Sequence, residues 1–325
     1  MLLSVEPVRQ EYFSCIDSVV ATAANYFGRP AALMFLGYMG FSYSPDKKGA
    51  YTYADRLSYG VLRYSRYTLE QYYNIKVSWG HPGQYRVLEQ VIQRELGYDR
   101  PVGTYLDSFY CPWNAAYQKF HIEHFVLIIG QDTDKGHFIC LDPYASEDTY
   151  FLSVNHLKKG FGKYILFEAQ EARDIRACPL PDILKESRYT CQYEPVFERA
   201  YKGMRQFALD IGEKLDMDLE AKRWRGDLSN TKLLRQISTF GKNRTKVSVS
   251  LTALGELFPN RTLGEIARHT ALLRRQWDHV NTLLMKFYFS RDPSLQIILR
   301  DKLLSIAQEE RRIAWELIQL AEGGS

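Results

Sequence analysis

The groups in this 325-residue chain that could do nucleophilic chemistry are five cysteines, with seven histidines as possible bases. Cys15 stands in the most informative surroundings. It follows Ser14 and opens a run in which Ile16, Val19, Val20, Ala23, Ala24 and Phe27 recur at helical spacing. Ser14 suits the N-cap, and Asp17 three residues on completes a capping-box pattern. Gly28 and Pro30 mark the other end. Cys15 is therefore expected in the first turn of a helix, where free backbone N–H groups and the helix dipole stabilise an anion. That placement suits a thiolate nucleophile; it also suits a small buried residue with no chemistry.

A nucleophilic thiol needs a base within hydrogen-bond reach, and the base needs an orienting acceptor. His124 opens the apolar run His-Phe-Val-Leu-Ile-Ile-Gly130, and Asp142 closes the run His137-Phe-Ile-Cys-Leu-Asp142. Between them lies a turn, Asp132-Thr-Asp-Lys-Gly136. Antiparallel strands joined by a short turn set the start of one beside the end of the other. His124 and Asp142 are thus expected as neighbours, and Cys15, His124 and Asp142 form a candidate catalytic set. Gln10 could donate a side-chain N–H to an oxyanion hole beside the Cys15 backbone N–H, or be an ordinary loop glutamine.

The elements that must position these residues fall into two kinds. After the first helix, residues 31–75 are tyrosine-rich and irregular, with a partly apolar helical pattern from Tyr53 to Tyr73. A short strand is expected at Asn74–Trp79 and an amphipathic helix at Tyr85–Leu96. Strands follow at Pro101–Leu106, His124–Gly130, His137–Asp142, Asp148–Ser153 and Lys163–Phe167, with a short basic helix at Val154–Lys159. Helices plus an antiparallel sheet make this an α+β domain, assigned to residues 1–178. Beyond Pro179 the pattern is helical, with helices expected at Glu194–Leu215, Thr231–Phe240, Ser248–Leu257, Thr262–Phe289 and Pro293–Ala321. An α-helical bundle is therefore expected over residues 179–325.

Composition narrows the classes. Charged residues make up 25% and the net charge is +4, with no long basic run, so nucleic acid is not an expected ligand. No apolar run reaches the length of a membrane span, and the start lacks the basic and apolar regions of a secretory signal. An odd number of cysteines without a CxxC pair reads as reduced thiols, which points to a cytoplasmic protein. No compact Cys/His cluster suggests a zinc site.

Cys15 at a helix start, followed by His124-Phe-Val-Leu-Ile-Ile-Gly-Gln-Asp132 and Leu141-Asp142-Pro143, resembles papain-like cysteine enzymes of the bacteriocin-leader-processing type. The chain resembles more closely the family of the N-terminal domain of butirosin biosynthesis protein H. That family shows an aspartate, an aromatic pair, a proline, a tyrosine and two histidines before the histidine strand. Here these are Asp107, Phe109-Tyr110, Pro112, Tyr117, His121 and His124. Phe27-Gly28-Arg-Pro30 and the Gly/aromatic stretch ending at Phe41 fit as well, so the resemblance spans roughly residues 10–170. It implies a papain-like fold and an acyltransferase in natural-product biosynthesis. Such an enzyme moves an acyl or aminoacyl group from the phosphopantetheine thioester of an acyl or peptidyl carrier protein to a small-molecule amine. Cys15, His124 and Asp142 would be its triad, with no metal and no organic cofactor. A cysteine peptidase, amidase or thioesterase with the same triad, and a non-catalytic carrier-binding module, are the competing readings.

Four further residues are candidate substrate contacts. Asp107 could hold an amine or His121, or serve its turn. Tyr110 and Trp113 could line an acyl channel or pack in the core. His121 could be a second base, with His124 preferred because it opens the buried strand. Three basic clusters, Lys158/Lys159/Lys163, Lys242/Arg244/Lys246 and Arg268/Arg274/Arg275, could meet an acidic carrier protein or be solvated faces.

Overall fold

A computed structural model describes residues 2–59, 62–189, 196–222 and 231–322. In chain order the first elements are α1 (Cys15–Tyr26), β1 (Ser42–Tyr43), α2 (Tyr53–Arg56), β2 (Leu57–Ser58), α3 (Leu62–Tyr73) and β3 (Ile75–Gly80). Then come α4 (Tyr85–Gly97), β4 (Val102–Leu106), β5 (Phe125–Asp132), β6 (His137–Leu141), β7 (Thr149–Ser153), α5 (Val154–Gly160) and β8 (Phe161–Ala169). The rest is helical: α6 (Leu180–Tyr189), α7 (Val196–Lys214), α8 (Met217–Lys222), α9 (Lys232–Leu257), α10 (Arg261–Ser290) and α11 (Ser294–Ala321). The fold is α+β, an antiparallel sheet with helices followed by a helical bundle, as the sequence pattern requires.

Two compact units result. The first joins Met1–Ala31 to Arg66–Ile175; the second joins Ala32–Ser65 to Arg176–Ser325. A single cut after residue 178 places residues 32–65 with the sheet, whereas they cluster with the bundle helices. Named contacts show why. Tyr43 donates to Asp210 at 2.6 Å, the Tyr53 N–H donates to Glu220, and Asp55 pairs with Lys232 at 2.9 Å. The stretch is thus tied to α7, α8 and α9 through the Tyr43 hydroxyl, the Tyr53 backbone and the Asp55 carboxylate.

The first unit is built on a six-stranded antiparallel sheet in the order β3-β8-β4-β5-β6-β7. Its centre, β5, is buried from Phe125 to Ile129, which accounts for an uninterrupted apolar run rather than an alternating one. β5 and β6 pair Leu127 with Leu141 and Ile128 with Cys140, and a bulge follows before Gly130 meets Ile139. Gly136 closes the turn at φ +64°, a conformation that favours glycine. α1 packs on the sheet: a Cβ added to Gly103 of β4 would lie 3.0 Å from the Val19 side chain. Both ends of α1 are fixed as the sequence suggests. Asp17 N–H donates to Ser14 Oγ at 3.2 Å, Ser14 N–H donates to Asp17 Oδ2 at 2.8 Å, and Gly28 leaves the helix at φ +67°.

The second unit pairs α9 with α10, α10 with α11 and α11 with α7. Two expectations about the helices differ from what is found. The helix expected over Tyr53–Tyr73 is broken: α2 stops at Arg56, and β2 pairs with β1 before α3 begins at Leu62. Residues 60 and 61 of that span lie outside the described residues, as do Cys191 and the first residues of the helix expected at Glu194–Leu215. The helices expected at Thr231–Phe240 and Ser248–Leu257 are one helix, α9, which runs through the polar stretch between them.

That stretch is polar because the bundle uses its charges internally. Arg244 is fully buried; its Nε donates to Glu310 Oε1 at 2.8 Å, and Trp277 Nε1 donates to the same oxygen at 2.9 Å. Lys246 is buried as well, with its Nζ 4.9 Å from the Tyr38 ring centre. Arg244 and Lys246 are therefore not part of an exposed basic cluster.

Candidate active site

The residues singled out from the sequence gather in two places in the first unit. In the first, the β5–β6 hairpin sets His124, immediately before β5, against Asp142, immediately after β6. His124 Nε2 lies 2.7 Å from Asp142 Oδ2. The histidine is 4% exposed and the aspartate fully buried, so neither is a solvated surface pair. Cys15, half-buried at the start of α1, acts on the same imidazole and, with Asp142, favours its charged form. With Asp142 at Nε2, Nδ1 is the ring nitrogen left for a second partner. Burial opposes a charge on His124, but Asp142 and Cys15 outweigh burial and push its pKa up to about 9. At neutral pH the ring is thus an imidazolium, and its Nε2–H donates to the Asp142 carboxylate.

Asp142 is itself held. Its backbone carbonyl accepts from the N–H groups of Ala145 and Ser146 at 2.9 and 3.0 Å. Oδ2, besides facing His124, accepts from the Trp113 indole N–H at 2.7 Å. Trp113 also stacks on Tyr150, with ring centres 4.4 Å apart. Tyr144, half exposed, meets the His124 ring edge-on at 6.1 Å.

Cys111 was without a role in the sequence reading and lies in this cluster. Its Sγ, a His124 ring nitrogen and an Asp142 oxygen lie within 4.8 Å of one another, the one such group of three ligand-type side chains among the described residues. These are the atoms that could hold a metal ion. Burial, with Asp142 nearby, pushes the Cys111 thiol up to about 12, so it stays protonated. No signal in the sequence separated Cys111 from Cys140, which is buried too.

The second place is the turn after β4. Asp107 Oδ2 lies 2.7 Å from His121 Nδ1, and Asp107 Oδ1 accepts from the Phe109 N–H at 3.0 Å. Of the openings weighed for Asp107, it thus holds His121 and serves its turn. The His121 ring stacks on Phe109 with centres 4.4 Å apart and is largely exposed. Tyr110 fills the space over Gly160, where an added Cβ would come within 3.0 Å of it. Gln10 is exposed; its carbonyl accepts from the Phe13 N–H at 3.0 Å in the turn that leads to α1. Lys158 and Lys159 are exposed, and Lys163 pairs with Glu123 at 3.6 Å.

Cys15 thus stands at the capped N-terminus of α1, and His124 and Asp142 form a buried pair at the open end of the β5–β6 hairpin. Residues 14–143, less than half of the chain, match the family model described as butirosin biosynthesis protein H, N-terminal. That segment begins at the N-cap of α1 and ends one residue after Asp142, so it takes in all three side chains. A search of the curated proteins found no match to the chain. Among the described residues no helix is long and apolar enough to cross a membrane.

Proposed function

We propose that the protein is an acyltransferase that works through a Cys15 acyl-enzyme. The observation that carries this reading is the buried His124–Asp142 pair, with Cys15 at the capped first turn of α1 acting on the same imidazole. The Cys15 thiolate attacks the carbonyl carbon of an acyl thioester. The oxyanion is met by the Cys15 backbone N–H, with the Gln10 side chain as a second donor. When the tetrahedral intermediate collapses, the donor C–S bond breaks and the departing thiolate takes a proton from His124. An amine then attacks the Cys15 thioester and gives its proton to His124 as the C–S bond to Cys15 breaks. Asp142 fixes the ring so that Nδ1 faces the reacting sulfur throughout. A thioester is already activated, so this sequence of steps asks little beyond the three side chains, and no metal or organic cofactor takes part in it.

The match over residues 14–143 supports a role in natural-product biosynthesis. The donor in this reading is an acyl or peptidyl group on the phosphopantetheine of a carrier protein, and the acceptor is a small-molecule amine. The cell compartment that fits is the cytoplasm. Intact-mass measurement after incubation with acyl-pantetheine thioesters tests the reading. A mass gain of one acyl group in the wild type, absent in Cys15→Ala and discharged by an added amine, is the expected result. No gain with any thioester, alongside cleavage of peptides, makes the protein a peptidase instead. An acyl-enzyme that decays only to free acid makes it a thioesterase.

A further inference from the structure

The Trp113 indole has a use that its place in an aromatic-rich loop does not suggest. Its N–H and His124 Nε2 converge on one oxygen, Asp142 Oδ2, each at 2.7 Å. The other oxygen, Oδ1, accepts from the Ala145 N–H at 3.3 Å, a long bond; a second rigid donor on Oδ2 limits the remaining swing of the carboxylate about its Cα–Cβ and Cβ–Cγ bonds. The indole is in turn fixed by stacking on Tyr150, at 4.4 Å and 14°. Tyr150 Oη lies 2.8 Å from Ser146 Oγ, and the Ser146 N–H returns to the Asp142 carbonyl at 3.0 Å. The loop is closed: carboxylate, indole, phenol, hydroxyl, and back to the backbone of the carboxylate's own residue.

We propose that Trp113 is a positioning residue, which fixes the Asp142 carboxylate so that the His124 ring presents Nδ1 to Cys15. The proposal rests on the acyl-enzyme reading for its consequence but not for its geometry. The ionisable groups that face Asp142 are His124, Cys111 and Cys140, and the last two are thiols kept protonated by burial, so His124 is the group that reports on the change.

Two replacements at this position separate the N–H from the ring. Trp113→Phe keeps an aromatic ring; benzothienylalanine, placed at the same position by semisynthesis or codon suppression, keeps the bicyclic shape and the stack and lacks only the donor. Alkylation of Cys15 by iodoacetamide, followed across pH by peptide mass mapping, reads the His124–Cys15 pair without any acyl donor. With the competing indole gone, Oδ2 serves His124 alone, so the basic limb of the profile is expected to move upward by about half to one unit. The rate of acyl-enzyme formation is expected to fall roughly 10- to 100-fold from lost ring positioning, with half-saturation by the thioester changed less than about twofold. Profiles that superimpose on the wild type for both replacements overturn the proposal. So does a rise in half-saturation with an unchanged rate, which would make Trp113 a substrate contact. Absence of any acyl-enzyme in the wild type would defeat the acyltransferase reading, while the alkylation profile would still decide the role of Trp113.

Discussion

Asp142→Asn is the substitution that tests the electrostatics of the site most directly. Asparagine keeps the volume, and its amide oxygen can still accept from Trp113, but the negative charge behind His124 is gone. The His124 pKa stands at about 9 against an ordinary 6.5. That gap corresponds to roughly 3 kcal/mol in favour of the imidazolium, supplied by Asp142 and Cys15 against the opposing effect of burial. Without the carboxylate, burial acts against the Cys15 contact alone, and the His124 pKa is expected to fall by about two units. The imidazolium that persists to about pH 9 in the wild type then loses its proton near neutrality. The assay is the iodoacetamide rate at Cys15 from pH 5 to 10, read by peptide mapping. The expected result is a basic limb shifted down by about two units and a rate at neutral pH lowered by roughly one to two orders of magnitude. A profile whose basic limb stays at the wild-type position would refute the reasoning, because it would mean that the carboxylate does not hold the proton on His124. The same linkage acts on stability. A histidine whose folded pKa is raised contributes stability that is complete below its ordinary value of 6.5 and is lost as pH rises through about 9. The wild type should therefore lose thermal stability across that window, and Asp142→Asn should not show the loss.

Other substitutions test the frame around the site. Ser14→Ala removes the acceptor for the Asp17 N–H and should cost about 1 kcal/mol in denaturant unfolding, with slower Cys15 alkylation as the first turn frays. Arg244→Ala leaves Glu310 buried without its cation and should destabilise the protein by about 3–5 kcal/mol, read as a lower denaturation midpoint. Glu220 is buried and its pKa is pushed up to about 7, so its stabilising effect is complete below its ordinary value of 4.5 and is lost as pH rises through about 7. Glu220→Gln keeps an acceptor for the Tyr53 N–H and should raise stability at pH 8 by up to about 3 kcal/mol while leaving it unchanged at pH 4.

Much of the first unit could be read from local rules. The α1 caps are set by Ser14, Asp17 and Gly28, whose preferences are expressed within a few residues. The β5–β6 hairpin follows from two apolar runs and a turn, and its register carries His124 to Asp142 without any knowledge of the rest of the sheet. What escaped was long-range. Residues 32–65 lack strong periodicity because their order comes from partners such as Asp210, Glu220 and Lys232, all more than 150 positions away in sequence. The middle of α9 looked like a break because charged residues are normally exposed, yet Arg244 is buried against Glu310, 66 residues on. A helix that buries its cation reads, in one dimension, as two helices with a polar linker.

The same distinction explains the site. Cys15, His124 and Asp142 were each legible because each sits at the end of an element, where sequence marks boundaries. Trp113, Cys111 and Tyr144 sit in loops, and loop geometry depends on what the loop packs against. An aromatic residue near a candidate active site invites the role of a substrate wall, since rings bury apolar surface. The indole also carries a donor, and a buried N–H must find an acceptor. Here it finds one at Asp142, and a ring that the sequence leaves open between an acyl channel and core packing is bonded to the carboxylate that also holds His124.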